Sequence, residues 1–554
     1  MIAYTCKYAP VELLAGFGEA CEKRNPSPAS LDEADRLSHR NLCSFSRALL
    51  EDCLQRKDRG FLFTNCCDSM RRTCDVLQQA QGEGQGFCFL MDLPREDGPC
   101  ARRRLAGELR RLIDSYAAYS GRPFDLAACM AAFPGGQAAP GGGPYLALLG
   151  ARSGDGLLRM LEGALPLPVR DLTCMGVRAL PAPPPGMDLD GFLDWYAAAL
   201  LGQTPCMRMT EVAARRALFE DPHCRGILYH TVKFCDYYGF EYADIQKRTK
   251  LPLLKLETDG TLGAQGQMRT RVEAFAESLP HAAKTPARPA ALPQKRGTRF
   301  FGGIDSGSTS TNVVLLDSSR RIVGSSIVAT GARAAQGAQQ ALGQALAQAG
   351  LHRADLAELV ATGYGRSYIG AGGREVTEIT CHARGAFFLD PSVRTVIDIG
   401  GQDSKAIRID ANGAVHSFVM NDKCAAGTGR FLEMMARTLG LSMEQMGTLG
   451  LHWKEEIAIS SMCTVFAESE VVSLVAQNRR TEDILHGLNN AVASKAAALA
   501  ARVDPAERFM MTGGVAANAG VVRAIEEKLG TKLLVLPEHQ LCGALGAALL
   551  AMEA

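Results

Sequence analysis

The chain has 554 residues, of which 47% are hydrophobic and 21% are charged, and its formal net charge at pH 7 is +1. This length exceeds what one hydrophobic core usually supports, so the sequence predicts at least two domains, each burying a core of its own. A charge near zero gives no reason to expect nucleic acid or an anionic membrane as a partner. Residues 1–10 lack the pattern of a secretory signal, and no run of roughly 18 apolar residues occurs. We therefore expect a cytoplasmic protein.

Cysteines are concentrated in the first half of the chain. Of the 18 cysteines, 14 lie before residue 240 and four lie after residue 380. In a reducing compartment such a density favours metal ligation over disulfides. Most of these cysteines stand singly rather than in C-x2-C pairs, so the fold would have to assemble a ligand set. From the residues alone, metal binding and core packing explain this half about equally well.

Strand-like and helical runs alternate before residue 280. GFLFTN at 60–65 and GILYHTV at 226–232 are typical of strands, and LDWYAAALLG at 193–202 is typical of a helix. This alternation predicts an α/β domain over residues 1–279. The Gly- and Pro-rich runs at 131–145 and 181–186 predict loops. Residues 280–298 contain four prolines and no apolar periodicity, which predicts a semi-stiff linker to a second domain at 299–554.

The second half opens with a candidate phosphate hairpin at 302–317, GGIDSGSTSTNVVLLD. Apolar residues lead into a Gly/Ser/Thr turn and a β-branched run leads out, which predicts strand, tight turn and strand. Asp305 is placed to hold Mg²⁺ through water. Glycine in the turn lets the backbone approach a phosphate, and the hydroxyls can donate to it. The candidate phosphate-binding residues are Gly307, Ser308, Thr309 and Thr311.

Two further glycine turns follow in the same half. VIDIGGQDSK at 396–405 places Asp398 at a strand end and opens its turn with Gly400 and Gly401. Polar side chains follow in that turn at Gln402, Asp403 and Lys405. MTGGVAANAG at 511–520 precedes a helical pattern and suits an adenosine pocket, with Gly513, Gly514 and Asn518 as its candidates. One such turn is weak support for nucleotide binding, but three in this order are much stronger.

The order of these turns resembles that of the actin, Hsp70 and sugar-kinase superfamily of ATPases. Seven segments are similar, more closely, to the activators of 2-hydroxyacyl-CoA dehydratases and benzoyl-CoA reductases. These segments are GIDSGSTST, TGYGR, EITCHARGA, DIGGQDSK, NDKCAAGTGRFLE, CTVFAESEV and TGGVAANAGVV. The resemblance covers essentially all of residues 298–554 and implies an actin-like ATPase domain.

In that family two cysteines per subunit hold one [4Fe-4S] cluster that is shared across a homodimer. The matching positions are Cys424 and Cys463. Two thiolates cannot fill a four-cysteine site, so such a cluster would require a dimer. Each cysteine precedes a helical pattern, and a helix N-terminus favours a thiolate. We expect the other two cysteines of this half, Cys381 and Cys542, to be core residues.

The first half resembles the catalytic subunits of 2-hydroxyacyl-CoA dehydratases and the related double-cubane-cluster proteins. The similar segments include MIAYTCKYAPVELLAGFG, NLCSFSRALLEDCLQ, GFLFTNCCDSMRRTCDVLQ and GILYHTVKFCDYYGFEYADIQK. The resemblance implies that Cys43, Cys67 and Cys235 bind a second [4Fe-4S] cluster. Cys6 and Cys66 fit a double-cubane cluster, and Cys206 could complete that set. We assign the remaining cysteines of this half, including Cys174, to core packing. This half is shorter than the resembling subunits, which leaves open whether it acts on an acyl-CoA.

Taken together, the resemblances imply ATP-driven one-electron transfer from the cluster of the second half to an acceptor in the first. The outcome would be a low-potential reduction or a 2-hydroxyacyl-CoA dehydration. The family's electron donor is ferredoxin or flavodoxin. Asp305 and Asp398 would organise Mg²⁺ and water, Gln402 would sense the γ-phosphate of ATP, and Lys405 would offset its charge.

Two other functions stay open from the sequence. In one, the chain activates a separate dehydratase or reductase subunit, and its first half is only a docking module. In the other, it is a sugar-kinase-like phosphotransferase without iron.

Overall fold

The structure is a computed structural model. The described residues are 1–26, 28, 30–39, 41–56, 60–82, 86–133, 143–176, 178, 180–203, 205–206, 209, 221–258, 265–279, 299–369, 373–421, 425–459 and 463–553. The chain divides into two compact units, Met1–Pro280 and His281–Ala554. The predicted linker at 280–298 lies outside the described residues, so its boundaries stay a prediction. In the described part, no helix combines the length and apolar character needed to cross a membrane.

The first unit contains two parallel four-stranded sheets. The strands are β1 (Ile2–Tyr4), β2 (Cys21–Lys23), β3 (Gly60–Thr64), β4 (Phe87–Met91), β5 (Tyr145–Gly150), β6 (Val169–Asp171), β7 (Cys224–Val232) and β8 (Leu253–Thr258). The sheet orders are β2-β1-β3-β4 and β6-β5-β7-β8, with every neighbouring pair parallel. Both sheets therefore have their first and third strands side by side at the centre. In open parallel sheets, ligands bind outside the carboxyl ends of the strands, where the strand order reverses.

Ten described helices accompany these sheets. They are α1 (Val11–Ala15), α2 (Asp32–Leu37), α3 (Ser44–Arg56), α4 (Asp68–Gln81), α5 (Pro99–Ser120), α6 (Leu126–Ala131), α7 (Asp155–Ala164), α8 (Leu189–Leu201), α9 (Asp236–Arg248) and α10 (Gln265–Ser278). The long α5 starts with Pro99 in its first turn and ends at Gly121 in the left-handed conformation, φ 67°, which is a common pair of helix boundaries. The predicted α/β class, and the three strand or helix segments quoted above for this half, are confirmed.

The second unit contains two mixed five-stranded sheets with one topology. The strands are β9 (Phe300–Ser306), β10 (Ser310–Asp317), β11 (Ile322–Ala329), β12 (Leu356–Thr362), β13 (Arg374–Glu375), β14 (Thr395–Ile399), β15 (Ser404–Ile409), β16 (Val415–Asn421), β17 (Phe509–Thr512) and β18 (Leu533–Leu534). The orders are β11-β10-β9-β12-β13 and β16-β15-β14-β17-β18. In each sheet the first three strands pair antiparallel and the last two add in parallel. This duplication is the actin-like architecture that the sequence predicts.

Eight described α-helices complete the second unit. They are α11 (Ala334–Ala349), α12 (Glu378–Leu389), α13 (Gly429–Leu439), α14 (Met443–Leu449), α15 (Thr464–Ala476), α16 (Thr481–Ala501), α17 (Ala519–Leu529) and α18 (Cys542–Met552). Helix α18 packs closely on β9, because a Cβ added at Gly303 would lie 2.0 Å from the Ala544 carbonyl oxygen and 2.4 Å from the Ala548 nitrogen. The first sheet therefore tolerates no side chain at that position.

We predict that Gly303→Ala destabilises the second unit by about 1–3 kcal/mol, because the helix must move away from the sheet. Gly343→Ala is the matched control. Gly343 lies inside α11 with no atom within 4 Å of an added Cβ, so alanine there should stabilise by about 0.5–1 kcal/mol through helix propensity. Denaturant unfolding of both variants checks this. Equal stability of the two would contradict the close packing of α18 on β9.

Candidate functional site

A cleft of about 460 Å³ lies between the two sheets of the second unit. Its lining includes eleven of the residues that the sequence assigns to nucleotide or magnesium binding. These are Asp305, Gly307, Ser308, Thr309, Asp398, Gly400, Gly401, Lys405, Gly513, Gly514 and Asn518. The three glycine turns, of which the first and the last are more than 200 residues apart in the chain, therefore meet at one cavity.

Two of the predicted residues are not among those that line the cleft. Gln402 is exposed, although it belongs to the second hairpin. Thr311 is fully buried behind the first hairpin, with its hydroxyl 3.0 Å from that of Thr330 and 3.4 Å from that of Ser306. The contacts of Thr311 are those of a residue that supports the turn rather than of one that meets a ligand.

The two hairpins have the same internal turn. The Gly307 amide donates to the Ser310 carbonyl at 2.9 Å, and the Gly400 amide donates to the Asp403 carbonyl at 3.0 Å. The hairpins also approach each other closely, because a Cβ on Gly401 would lie 1.9 Å from Thr309 Oγ1. Each hairpin thus presents a glycine turn to the same narrow space, as phosphate binding requires.

The carboxylates of the two sheets occupy equivalent places. Asp305 pairs with Thr362 across β9 and β12, and Asp398 pairs with Thr512 across β14 and β17. The Thr512 hydroxyl donates to Asp398 Oδ1 at 2.9 Å. Beside each carboxylate stands a glycine in the left-handed region, Gly363 at φ 83° and Gly513 at φ 87°. The duplicated fold therefore brings one Asp from each half to the floor of the cleft.

Helix α12 contributes two cleft residues whose role the sequence analysis did not assign. His382 Nε2 lies 3.8 Å from Asp305 Oδ2, and His382 Nδ1 lies 3.5 Å from Asp398 Oδ1. Glu378, one helical turn earlier, is 4% exposed, and its Oε1 has no hydrogen-bond partner. Both residues belong to the EITCHARGA segment. Only the spacing of four residues, which places them on one helix face, could have indicated their shared position.

Lys405 is buried among three carboxylates. Its Nζ lies 2.7 Å from Asp403 Oδ2, 3.1 Å from Asp398 Oδ2 and 3.5 Å from Glu378 Oε2. Burial works against the charge of Lys405, but the carboxylates around it raise its pKa well above the ordinary value. The ammonium group is therefore held by protein carboxylates.

The pKa values of the neighbouring acids diverge. Burial opposes ionisation of Asp398, but His382, Lys405 and the Thr512 hydroxyl hold its pKa at about 2. Burial raises the pKa of Glu378 to about 8, with Lys405 opposing and the surrounding carboxylates adding to the rise. Burial also raises the pKa of Asp305. Glu378 is therefore the cleft carboxyl best suited to hold a proton at neutral pH.

The residues of the cleft fit magnesium and a nucleotide. Asp305, Asp398, Asp403 and Glu378 outnumber Lys405, which leaves an acidic floor suited to a hard cation. The buried Asn518 Nδ2 and Glu378 Oε1 have no partner within the protein. Such atoms normally find a ligand or water. Asn518 Nδ2 can donate to a nucleotide from the third glycine turn.

The predicted metal ligands of the second unit are Cys424 and Cys463. Cys424 lies outside the described residues. Cys463 is exposed and immediately precedes α15, and its carbonyl accepts from the Ala467 amide at 2.9 Å. Helix α15 exposes Val465, Phe466, Val472 and Val475, with Phe466 66% exposed. An apolar helix face therefore begins beside the Cys463 thiol. Cys381 and Cys542 are buried, as expected.

The cysteines of the first unit gather where the parallel strands end. Cys6 follows β1, Cys66 and Cys67 follow β3, Cys174 follows β6, and Cys235 follows β7. The strand ends of the two sheets face each other. The Ser44 amide donates to the Lys233 carbonyl at 3.3 Å, and Arg152 Nη2 donates to the Pro26 carbonyl at 2.9 Å. Cysteines from both sheets are thereby brought to one region.

Electrostatic interactions connect cysteines that come from the two sheets. The pKa of Cys174 is raised to about 12 by burial and further by Cys206, Cys6 and Cys235. Cys66 interacts with Cys67, Cys6 and Cys174. Arg152 interacts with both Cys174 and Cys43. The group, here called the thiol cluster, is Cys6, Cys43, Cys66, Cys67, Cys174, Cys206 and Cys235.

The thiol cluster contains all five cysteines that the sequence assigns to a metal site in this unit, together with Cys206. It also contains Cys174, which the sequence analysis assigns to core packing. In the described part of the chain, no three His, Cys, Asp or Glu side chains are spaced to hold a metal ion. Cysteine thiolates are the usual ligands of an iron-sulfur cluster, in which different ligands bind different irons.

The pKa of the Cys67 thiol is lowered from its ordinary value. A hydrogen bond from Cys66, with the amides of Met70 and Ser69 at the start of α4, holds the pKa of Cys67 at about 7 against the effect of burial. Thiolates are stabilised at helix N-termini. Of the adjacent pair, Cys67 is therefore the better ligand in this arrangement, while hydrogen bonding to Cys67 and burial raise the pKa of Cys66.

Fold and cleft define the second unit as an actin-like ATPase domain. Residues 303–551 match the BadF/BadG/BcrA/BcrD ATPase family. Residues 6–133 and 138–279 match the 2-hydroxyglutaryl-CoA dehydratase D-component. The chain thus belongs to the BadF/BadG/BcrA/BcrD ATPase family and carries a 2-hydroxyglutaryl-CoA dehydratase D-component domain before the ATPase domain.

Relatives of known name agree with this assignment. The activator of lactoyl-CoA dehydratase of Anaerotignum propionicum is 48% identical over 252 residues, which are 46% of this chain and 97% of that protein. The (R)-2-hydroxyglutaryl-CoA dehydratase activating ATPase of Acidaminococcus fermentans is 46% identical over 252 residues, 45% of this chain and 96% of that protein. The crystal structure of component A of the same dehydratase has 45% identity, covers 46% of this chain and 98% of its own, and has a TM-score of 0.45. The family resemblances drawn from both halves of the sequence are confirmed.

We predict that Lys405→Met costs about 3–5 kcal/mol of stability, because it leaves buried carboxylates without their cation. The matched control is Lys532→Met, which removes an exposed lysine 2.6 Å from Glu526 and should cost less than about 1 kcal/mol. Urea unfolding without nucleotide or metal measures both. Similar losses in the two variants would show that Lys405 is not holding the carboxylates together.

The raised pKa of Glu378 predicts a pH dependence of stability. The folded protein keeps this proton up to about pH 8, whereas the unfolded chain releases it near 4.5. Protonation of Glu378 therefore contributes stability that is fully present below about pH 4.5 and is lost as the pH rises toward about 8. Glu378→Gln should flatten this fall, measured by unfolding between pH 5 and 8 without metal. The control Glu527→Gln, on the exposed face of α17, should leave the dependence of the unfolding free energy on pH unchanged. The same dependence in Glu378→Gln as in the parent protein would contradict a raised pKa of Glu378.

Proposed function

We propose that the chain couples ATP hydrolysis in its second unit to one-electron reduction of an iron-sulfur acceptor in its first unit. The observation that carries this proposal is the presence, in one chain, of an activator-type ATPase domain and a D-component domain whose seven-cysteine thiol cluster lies at the strand ends. A [4Fe-4S] cluster supplies a single electron at low potential. Joining both domains in one chain keeps each at high effective concentration near the other.

In the cleft, the two hairpins and the Asn518 turn hold the nucleotide, and Asp305 and Asp398 hold Mg²⁺ through water. Gln402, exposed and outside the cleft lining, is poorly placed for the role that its position in the motif implies. Glu378 and His382 are better placed to orient the attacking water, because both face the space between the two hairpins. Water so placed can attack the γ-phosphate in line, so that ADP is the leaving group and inorganic phosphate is formed.

A route from nucleotide to metal site starts at the second hairpin. The carbonyls of Gly400 and Gly401 accept from the amides of Gly429 and Arg430, both at 2.8 Å. These amides open α13, and Cys424 lies five residues before it. A shift of the second hairpin on ATP binding therefore moves the start of α13, which follows Cys424 in the sequence.

The second copy of the chain and the electron donor belong to the same proposal. Cys424 and Cys463 give two thiolates per chain, so a [4Fe-4S] cluster there needs two chains. The exposed apolar face of α15, which begins beside Cys463, suits contact with that second copy. A ferredoxin or flavodoxin supplies the electron, and the reduced acceptor in the first unit serves a low-potential reduction or a 2-hydroxyacyl-CoA dehydration.

The relatives favour one alternative. They are activators of dehydratases by name and correspond to less than half of this chain. The chain could accordingly activate a separate dehydratase or reductase component, with its first unit as a docking module. That alternative requires no iron in the first unit, whereas our proposal requires iron in both.

Anaerobic reconstitution of the full chain tests the proposal, with iron and acid-labile sulfide content and EPR as readouts. We expect two separable clusters, one lost in Cys463→Ala and the other in Cys235→Ala. Cys100→Ala, which removes an exposed cysteine on α5, should lose neither. Iron that is lost only in Cys463→Ala would favour the docking alternative. If the reconstituted chain contained no iron, electron transfer would be rejected and the phosphotransferase hypothesis would be favoured.

A further inference from the structure

Two buried cations lie beside the thiol cluster, at corresponding places in the two parallel sheets. Lys7 follows β1, the first strand of its sheet, and Arg152 follows β5, the first strand of the other. Lys7 is 2% exposed and Arg152 is 5% exposed. Each therefore stands at the carboxyl end of a central strand, where these sheets form their ligand-binding crevice.

Lys7 interacts electrostatically with three members of the thiol cluster. Its largest electrostatic partners are Cys206, Cys174 and Cys6, followed by Asp171. Asp171 is already engaged by other donors, with the Ser153 hydroxyl at 2.8 Å and the Thr173 amide at 3.0 Å. The cation is thus placed where three members of the thiol cluster would carry negative charge.

Arg152 meets the opposite side of the thiol cluster. Cys174 and Cys43 are its largest electrostatic partners, ahead of Asp155 and Asp52. Its guanidinium stacks 3.5 Å from the centre of the Phe45 ring, and one nitrogen, Nη1, is buried without a hydrogen-bond partner. Among the described residues, no carboxylate lies within ion-pair distance of Arg152.

A buried cation is costly unless an anion compensates it. Cysteines that bind iron do so as thiolates, and a cluster with several thiolates is an anion. The two cations therefore fit a site whose ligand is negative and becomes more negative on reduction.

We propose that Lys7 and Arg152 compensate the charge of the cluster bound by the first unit and raise its reduction potential, so that this unit accepts the electron. The inference rests on the proposed function, because it needs iron in the first unit. Neither residue binds iron. Each acts through its positive charge, which favours the reduced state over the oxidised state because the reduced state carries one more negative charge.

An EPR-monitored redox titration of the full reconstituted chain tests this role. The Cys463→Ala background removes the signal of the second unit. We expect Lys7→Met and Arg152→Met each to lower the reduced-to-oxidised ratio at a fixed potential about tenfold, which is about 59 mV for one electron. Lys7→Arg and Arg152→Lys keep the charge and should stay near the parent value. Lys247→Met, an exposed lysine on α9, is the matched control and should not shift.

The outcomes separate this inference from the proposed function. Clusters that load normally in Lys7→Met and Arg152→Met with an unchanged potential overturn charge compensation and leave the proposed function standing. Absence of iron from the first unit of the parent chain overturns both. If Lys7→Met fails to load iron, normal loading in Lys7→Arg supports the need for positive charge, and failure of Lys7→Arg as well overturns it for Lys7.

Discussion

The cleft of the second unit depends on one buried ammonium group surrounded by acids. Lys405 comes from β15, Asp398 from the adjacent β14, Asp403 from the hairpin between them, and Glu378 from α12. These elements must be in register for the charges to cancel, because each acid alone would be costly to bury. One lysine thereby fixes the second hairpin to the helix that carries His382. The fixed acids also define where a divalent cation can be bound.

The functional sites of the two units are formed in the same way. Each is built from two sheets of one strand order, and each site lies where the two copies meet. In the second unit this brings Asp305 opposite Asp398, and in the first it brings Lys7 and Arg152 to the same group of thiols. Neither repeat is visible in the amino-acid sequence, because a topology can be preserved by many different apolar residues.

The sequence indicates local features well and distant ones poorly. The glycine turns at 307, 400–401 and 513–514 are predictable because clusters of Gly with Ser, Thr, Asn or Asp between apolar runs mark turns locally in the sequence. Glu378 and His382 were missed as site residues because a buried helix carries acids and histidines for several reasons, and only the cleft shows their use. Cys174 was assigned to packing for the same reason, since a single buried cysteine behaves as a small apolar residue. Gln402 is the opposite case. It belongs to a recognisable motif, but its side chain is not among those that line the cleft.

The close contact between the two hairpins limits which residues can occupy position 401. Gly401 faces Thr309 so closely that even a methyl group there would have to displace the Thr309 side chain or the hairpin that carries it. The size of residue 401 therefore limits how closely the two hairpins approach each other. Its role does not depend on contact with a particular ligand atom. A larger residue at this position would hold the two hairpins farther apart than they are in this structure.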